Sequence, residues 1–367
     1  MSEEKSKPAR KEEIAYNHIW EMISSDKYDE GDLLPTEKSI AEDLGINRLT
    51  VSKALAWLKK EGYINRRAGY GTVVTRKPPS SNTRLILVIS PWPSWEKSSN
   101  WYFSRLLYAV HAEALLNNAT TVNVAFKYEE EEVGKNFNRI RDLFNAVKCE
   151  GALVIDPFMS THNQLIDFLD DLKCPSVWAG SSLESREGIH KVDIDDFQAA
   201  FDLTQKLIDD GAKKVAFMGG YLNTLARKQR LEGFKAAIEK NGLEFDERYI
   251  LCSNSLSYLE DVGNECAGLY AARRLEADAL FVNDSSMLEG MNDFCKLYPN
   301  ESTEKLASLP VATFDFESIE SVPNVKYSVE QDIEEMGRQA VQVFLSDLEK
   351  DPTKTVEKCI PVKIKEY

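Results

Sequence analysis

Up to about residue 76 the apolar positions recur every three or four residues; beyond Arg84 they come as short unbroken runs between amphipathic stretches. In 11–25, Ile14, Ile19, Met22 and Ile23 give one apolar side to a predicted helix. Ile40, Ala41 and Leu44 predict a second helix, which Thr36 can cap and Gly45 can end. Val51, Ala54, Leu55 and Leu58 form the inward stripe of a third, with Asn47 as its cap and Gly62 as its stop. Two short strands follow at 63–65 and 72–74, joined by the glycine-rich turn 66–71. The stretch 76–83, RKPPSSNT, is polar and proline-rich and reads as an extended linker. The domain boundary falls there, with a head over 1–76, a linker over 77–83 and a body over 84–367.

The run 85–89 is wholly apolar, as in a strand buried on both faces. Helices at 101–118, 130–147 and 160–172 alternate with strands at 122–126, 151–155 and 176–179 and make one α/β lobe. The alternation restarts with helices at 196–210, 225–241, 259–274 and 285–298 and strands at 215–218, 249–251, 279–282 and 311–314. A helix at 331–349 and a strand near 360–364 end the chain. The predicted fold is two doubly wound parallel-sheet lobes with a cleft between them, preceded by a small α+β head. Ligands of such sheets bind beyond the carboxyl ends of the strands.

Charge sharpens this division. The net charge of −15 alone argues against a nucleic-acid partner, but it is unevenly spread. Residues 1–77 carry 14 basic and 13 acidic side chains, leaving 31 against 47 for the rest; within 38–77 the count is 9 to 3. The basic charge sits on the third helix and the hairpin, and an acidic body follows that phosphate should repel. The six cysteines are scattered without a C-x-x-C pair and read as free thiols, and the four histidines are equally dispersed. No metal site or cofactor is expected. No apolar run spans a bilayer, and the charged start MSEEKSKPARKEE has no signal-peptide apolar core, so a cytoplasmic protein is expected.

A helix, a glycine turn and a second helix can lay the latter in a DNA major groove, and two arginines on a hairpin tip suit a wing against phosphates or the minor groove. LPTEKSIAEDLGINRLTVSKALAWLKKEGYINRRAGYGTVV resembles the winged helix-turn-helix of GntR-family transcriptional regulators. Leu34-Pro35-Thr36-Glu37, Arg48-x-Thr50-Val51, Ala54-Leu55-x-x-Leu58, Glu61-Gly62 and Gly69-x-Gly71-Thr72 come in that family's order and spacing. The candidate contacts to double-stranded operator DNA are Lys38, Arg48, Thr50, Ser52, Lys53, Arg66, Arg67, Gly69 and Tyr70. The family often carries Arg directly after Thr-Val, where this chain has Ser52.

The body carries a second resemblance. Val192-Asp193-Ile194-Asp195-Asp196, the stretch 211–220 (GAKKVAFMGG) and Arg227-x-x-Arg230-Leu231-Glu232-Gly233-Phe234 are similar to the effector domain of LacI/GalR regulators. Phe281-Val282-Asn283-Asp284, Thr313-Phe314-Asp315 and Gln331-x-x-x-x-Met336-Gly337 continue it in order. The resemblance implies the type I periplasmic-binding-protein fold, with three strand-exchanging crossovers between the lobes. It implies a first lobe of about 84–188 plus 331–346, and a second of about 190–328 plus 355–367. A GntR-type head on a LacI-type body resembles the arabinose-repressor type of regulator.

That resemblance points to Arg227, Asp284, Asp315 and Gln331 as sugar-binding groups. A guanidinium, carboxylates and an amide can together satisfy the hydroxyls of a polyol in a dry cleft. Trp92 and Trp101, in an aromatic-rich stretch of the first lobe, can stack on a sugar or a base, and Asp156 ends the third strand as a further candidate. The alternatives for these side chains are inter-lobe or dimer packing for the aromatics and structural ion pairs for Arg227 and Asp315.

No catalytic set emerges. Gly219-Gly220 is not a phosphate cradle, and Asp193, Asp195 and Asp196 read as caps of the helix near 196. The expected protein is a homodimeric repressor that leaves its operator when a monosaccharide or derivative binds between the lobes. The competing expectations are a sugar-metabolising enzyme fused to a DNA-binding head, or a regulator that responds to a nucleoside.

Overall fold

The computed structural model describes residues 11–24, 27–67, 69–76, 84–91, 101–126, 130–155, 159–180, 183–184, 188–220, 222, 224–253, 259–316, 324–347 and 355–367. They form two compact units, Met1–Thr83 and Arg84–Tyr367.

The first unit contains α1 (Lys11–Ser24), α2 (Glu37–Leu44), α3 (Arg48–Lys60), β1 (Ile64–Arg67) and β2 (Gly71–Val74). Thr36 Oγ1 accepts the amide of Ser39 at 3.2 Å, and Asn47 Oδ1 accepts that of Leu49 at 2.8 Å, so α2 and α3 each begin on a side-chain cap. Gly45 takes a left-handed φ of 64° and ends α2 in the sharp turn that sets α3 across it. Ile40, Ala41, Val51, Ala54, Leu55 and Leu58 meet Ile64 and Val74 of the hairpin in one core. α1 contributes Ala15, Ile19 and Ile23, one residue every turn. Ile14, expected on that face, is 43% exposed, because it lies about 100° around the helix from the buried line. The strands pair antiparallel, Ile64 opposite Val74 and Arg67 opposite Gly71.

The second unit begins with β3 (Arg84–Pro91), α4 (Trp101–Leu116), β4 (Ala119–Phe126), α5 (Glu130–Val147), β5 (Gly151–Val154), α6 (Met159–Asp171), β6 (Ser176–Ala179) and β7 (His190–Asp193). α7 (Asp196–Asp209), β8 (Val215–Met218), α8 (Leu225–Lys240), β9 (Ile250–Leu251), α9 (Leu259–Ala272), β10 (Ala279–Val282), α10 (Met287–Leu297), α11 (Glu301–Ser308) and β11 (Val311–Phe314) follow. The chain ends with β12 (Val325–Glu330), α12 (Ile333–Gln342), a π-helical turn at Val343–Asp347, β13 (Glu357–Cys359) and β14 (Lys363–Glu366).

Two six-stranded sheets result, ordered β13-β7-β6-β5-β3-β4 and β14-β12-β11-β10-β8-β9. All pairings within them are parallel except that of β12 with β14. The chain passes between the sheets three times: after β7, after β12, and between β13 and β14. Each passage buries an isoleucine, Ile194, Ile333 and Ile360, in one apolar cluster. That cluster runs from Ile86 and Leu153 of the first sheet to Phe217, Phe281 and Phe314 of the second. The two lobes are thus built on a shared core.

Several expectations need correction. β7, placed with the second lobe from sequence, pairs with β6 and β13 in the first sheet. The single strand expected near 360–364 is two strands, one in each sheet, because Ile360 turns the chain from one lobe to the other. α11 and β12 went unread: one is eight residues long, and the other mixes polar and apolar positions.

Candidate functional site

In the head, the polar groups at the start of α3 and on the hairpin converge on one carboxylate. Glu37, first residue of α2 and only 14% exposed, accepts from Arg48 Nε at 3.1 Å. The Arg66 guanidinium reaches the same carboxylate from β1. Arg66 also donates to Ser52 Oγ at 3.3 and 3.4 Å. Arg48 remains 70% exposed at the N-terminal end of α3, where backbone amides also face outward. Lys53 Nζ lies 3.4 Å from Glu12, and Lys38 Nζ lies 3.8 Å from Glu42. Such exposed pairs contribute about 1 kcal/mol or less and yield readily to a phosphate. Thr50 and Ser52 are half-buried between them. Tyr70 stands exposed at the hairpin turn beside Gly69, whose φ of 78° a side chain would oppose. The Arg67 side chain lies outside the described residues.

In the body, the junction of the lobes gathers a polar network at the carboxyl ends of β8, β10 and β11. Its centre is Arg230 on α8. Arg230 Nε donates to Asp196 Oδ1 at 2.6 Å, and Nη1 to the carbonyl of Asn283 at 2.8 Å. Its guanidinium carbon lies 3.6 Å from the centre of the Phe314 ring, close enough for a cation–π contact. Asn283 Nδ2 donates to the Gly219 carbonyl at 3.2 Å, while its buried Oδ1 receives no hydrogen bond among the described residues.

Asp315 follows β11 with a left-handed φ of 51°. Its Oδ1 accepts the amide of Gln331 at 3.1 Å, and the Gln331 side chain holds the other oxygen. Burial pushes Asp315 up to about 6; the Arg230 charge and the Gln331 bonds oppose this, and Asp284 adds to it. Asp284 Oδ1 accepts the Ser286 amide at 3.0 Å. Arg227 sits one helical turn before Arg230, its amide bonded to Thr224 Oγ1 at 3.2 Å. Burial lowers its guanidinium from the usual value, and the nearby Asp284 opposes that shift. From the first lobe, Tyr102 of α4 faces the same network. Burial raises its phenol, and the charges of Asp193, Asp315 and Asp196 add to the shift. Its hydroxyl donates to Met336 Sδ at 3.6 Å, and a Cβ on Gly180 would lie 2.5 Å from it.

Arg227, Asp284, Asp315 and Gln331 are therefore brought to one junction. Trp92 and Asp156 lie outside the described residues, and of Trp101 only the backbone, opening α4, is described. Sequence reasoning gave no binding role to Arg230, Asn283 or Tyr102, and it read Asp196 as a cap. Arg230 stood in the same motif as Arg227, but spacing alone does not say which of two arginines one turn apart points inward. Asp195, read as a cap, accepts the amide of Gln198 at 2.8 Å; Asp196 instead serves Arg230.

Residues 11–74 match the bacterial regulatory proteins of the gntR family, and residues 98–266 match the periplasmic binding proteins and sugar binding domain of the LacI family. The chain joins a GntR-type head to a LacI-type body. Similar proteins include the HTH-type transcriptional regulator MalR of Streptococcus pneumoniae, 24% identical over 72% of the chain and 75% of the relative. Catabolite control protein A of Priestia megaterium is 27% identical over 69% and 74%. The solved structure of a transcriptional regulator CelR–cellobiose complex superposes with a TM-score of 0.65 at 19% identity, over 90% of this chain and 98% of that one. At that identity the likeness speaks for the shared fold.

Proposed function

We propose that this chain is a ligand-responsive transcriptional regulator, a repressor that leaves its operator when a small sugar binds between the lobes of the body. The observation that carries the reading is the gathering of Arg230, Asp315 and Gln331 at the junction of the lobes, with Tyr102 of the opposite lobe near enough for the charges of Asp315 and Arg230 to act on its phenol. Arg227, Asp284 and Asn283 Oδ1, which receives no hydrogen bond among the described residues, extend that set. Guanidinium donors, carboxylate acceptors and a phenol match the alternating hydroxyls of a saccharide. A ligand that touches both lobes binds their closed arrangement better than the open one, and only such a difference in affinity can shift the equilibrium. The three crossovers are where the backbone absorbs closure. We place the chain in the cytoplasm as a homodimer, so that two heads meet a two-fold related operator. No helix among the described residues is long and apolar enough to cross a membrane. Similar proteins named as HTH-type transcriptional regulators, MalR and CelR, support a binding role for the body.

The test is a thermal-shift screen against monosaccharides, disaccharides, sugar phosphates and nucleosides, followed by titration of the hit into a protein–duplex complex. A ligand at a hundred times its dissociation constant stabilises the folded state by about 2.7 kcal/mol. Release from the duplex is expected. A hit confined to nucleosides would replace the sugar reading, and turnover of the hit would replace the regulator reading with an enzyme.

A further inference from the structure

The head has a serine where a recognition helix of this kind often carries arginine, and the structure shows what occupies the place. Ser52 lies on α3 between Arg48 and the wing, and its hydroxyl accepts from both terminal nitrogens of Arg66. Arg66 belongs to β1, paired with Thr72, so its backbone is that of the wing while its guanidinium lies on α3. Glu37 holds it there and holds Arg48 with its other oxygen. An arginine at position 52 would need the space that this guanidinium fills.

We propose that Arg66 reads a base edge in the major groove beside Arg48, and that Glu37 is the positioning residue for both. This rests on the DNA-binding reading of the head. Two guanidiniums drawn to one carboxylate are biased in spacing and orientation before DNA arrives, which lowers the entropy lost on binding. A planar fork of donors fits guanine O6 and N7. The target is therefore a half-site with guanine at two neighbouring positions. Ser52 serves by being small and by accepting from Arg66. The hairpin turn, with Gly69 and Tyr70, remains for backbone contacts.

The experiment is selection from a randomised duplex pool by the full-length protein and its variants, read by sequencing. The wild type should select two neighbouring guanines per half-site. R66A and R66K should each lose the preference at one of them, by about tenfold or more, and keep the other. R66K matters because lysine retains the charge but not the fork. E37Q should weaken the preference at both positions. If R66K and R66A select the wild-type motif undiminished and only bind every duplex more weakly, Arg66 is a phosphate contact and the proposal is overturned. If E37Q disturbs the fold of the head, R66K still decides the matter. A wild type that selects no motif would overturn the DNA-binding reading itself, a different result from an unchanged motif in the variants.

Discussion

Gln331 donates its backbone amide to Asp315 Oδ1 at 3.1 Å, tying the second crossover to the end of β11. Gln331 is the first residue after β12, and Asp315 the first after its neighbour β11. A movement of α12 with the first lobe therefore pulls on a carboxylate that lines the second.

This carboxylate makes stability depend on pH in a direction opposite to most buried pairs. Asp315 titrates at about 6 in the folded protein against 3.8 as an ordinary side chain, so the folded state binds a proton that the unfolded chain has released. Its contribution is fully present below about pH 3.8 and is lost as pH rises through about 6. Asp315→Asn should raise the melting temperature of the ligand-free protein near pH 7.5 and leave it unchanged near pH 4. A lower melting temperature at the higher pH would contradict the assignment.

Arg230 and Arg227 should separate in denaturant titrations. Arg230→Ala takes the guanidinium from Asp196, whose side chain is 1% exposed, and should cost about 3–5 kcal/mol. Arg227→Ala, at a half-buried position, should cost much less while abolishing the response to the ligand found by screening. Equal losses of stability would mean that the two share one structural role.

Two glycine substitutions should have opposite signs. At Gly337 of α12 a Cβ would lie 2.6 Å from Ala109 Cβ of α4, so Gly337→Ala should force the helices apart and cost about 1–3 kcal/mol. At Gly268 of α9 the nearest atoms would be those of the Phe294 ring at 3.5 Å, an ordinary contact. Gly268→Ala should stabilise the body by about 0.5–1 kcal/mol. Thermal unfolding of both variants checks the pair.

Binding to a selected duplex should fall with salt by a slope of about −0.9 per phosphate neutralised. Lys53→Ala should reduce that slope by about one if its ammonium leaves Glu12 for a phosphate. An unchanged slope would place Lys53 off the DNA.

Much of this architecture was legible along the chain. Apolar runs at β8, β10 and β11 read as strands with the bounds observed, since each is buried at every position. The caps Thr36 and Asn47 and the stop at Gly45 follow from side-chain and backbone chemistry local to a few residues. Ile14 misled because hydrophobicity alone marks a face only to within a residue, and packing against α3 chose Ala15 instead. The same limit hid Arg230 behind Arg227.

Local pattern thus determined the head, the alternation of strands and helices, and the residue types available at the strand ends. Tertiary structure decided which sheet β7, β13 and β14 join, because a short strand reads alike in either lobe and only its neighbours' free edges distinguish them. It also decided that the guanidinium of Arg66, a residue of the hairpin, lies against Ser52 of α3. That position depends on Glu37 and Ser52, which stand 29 and 14 residues away in sequence. Burial of a charge requires partners, and partners across such distances become visible only when the chain has folded.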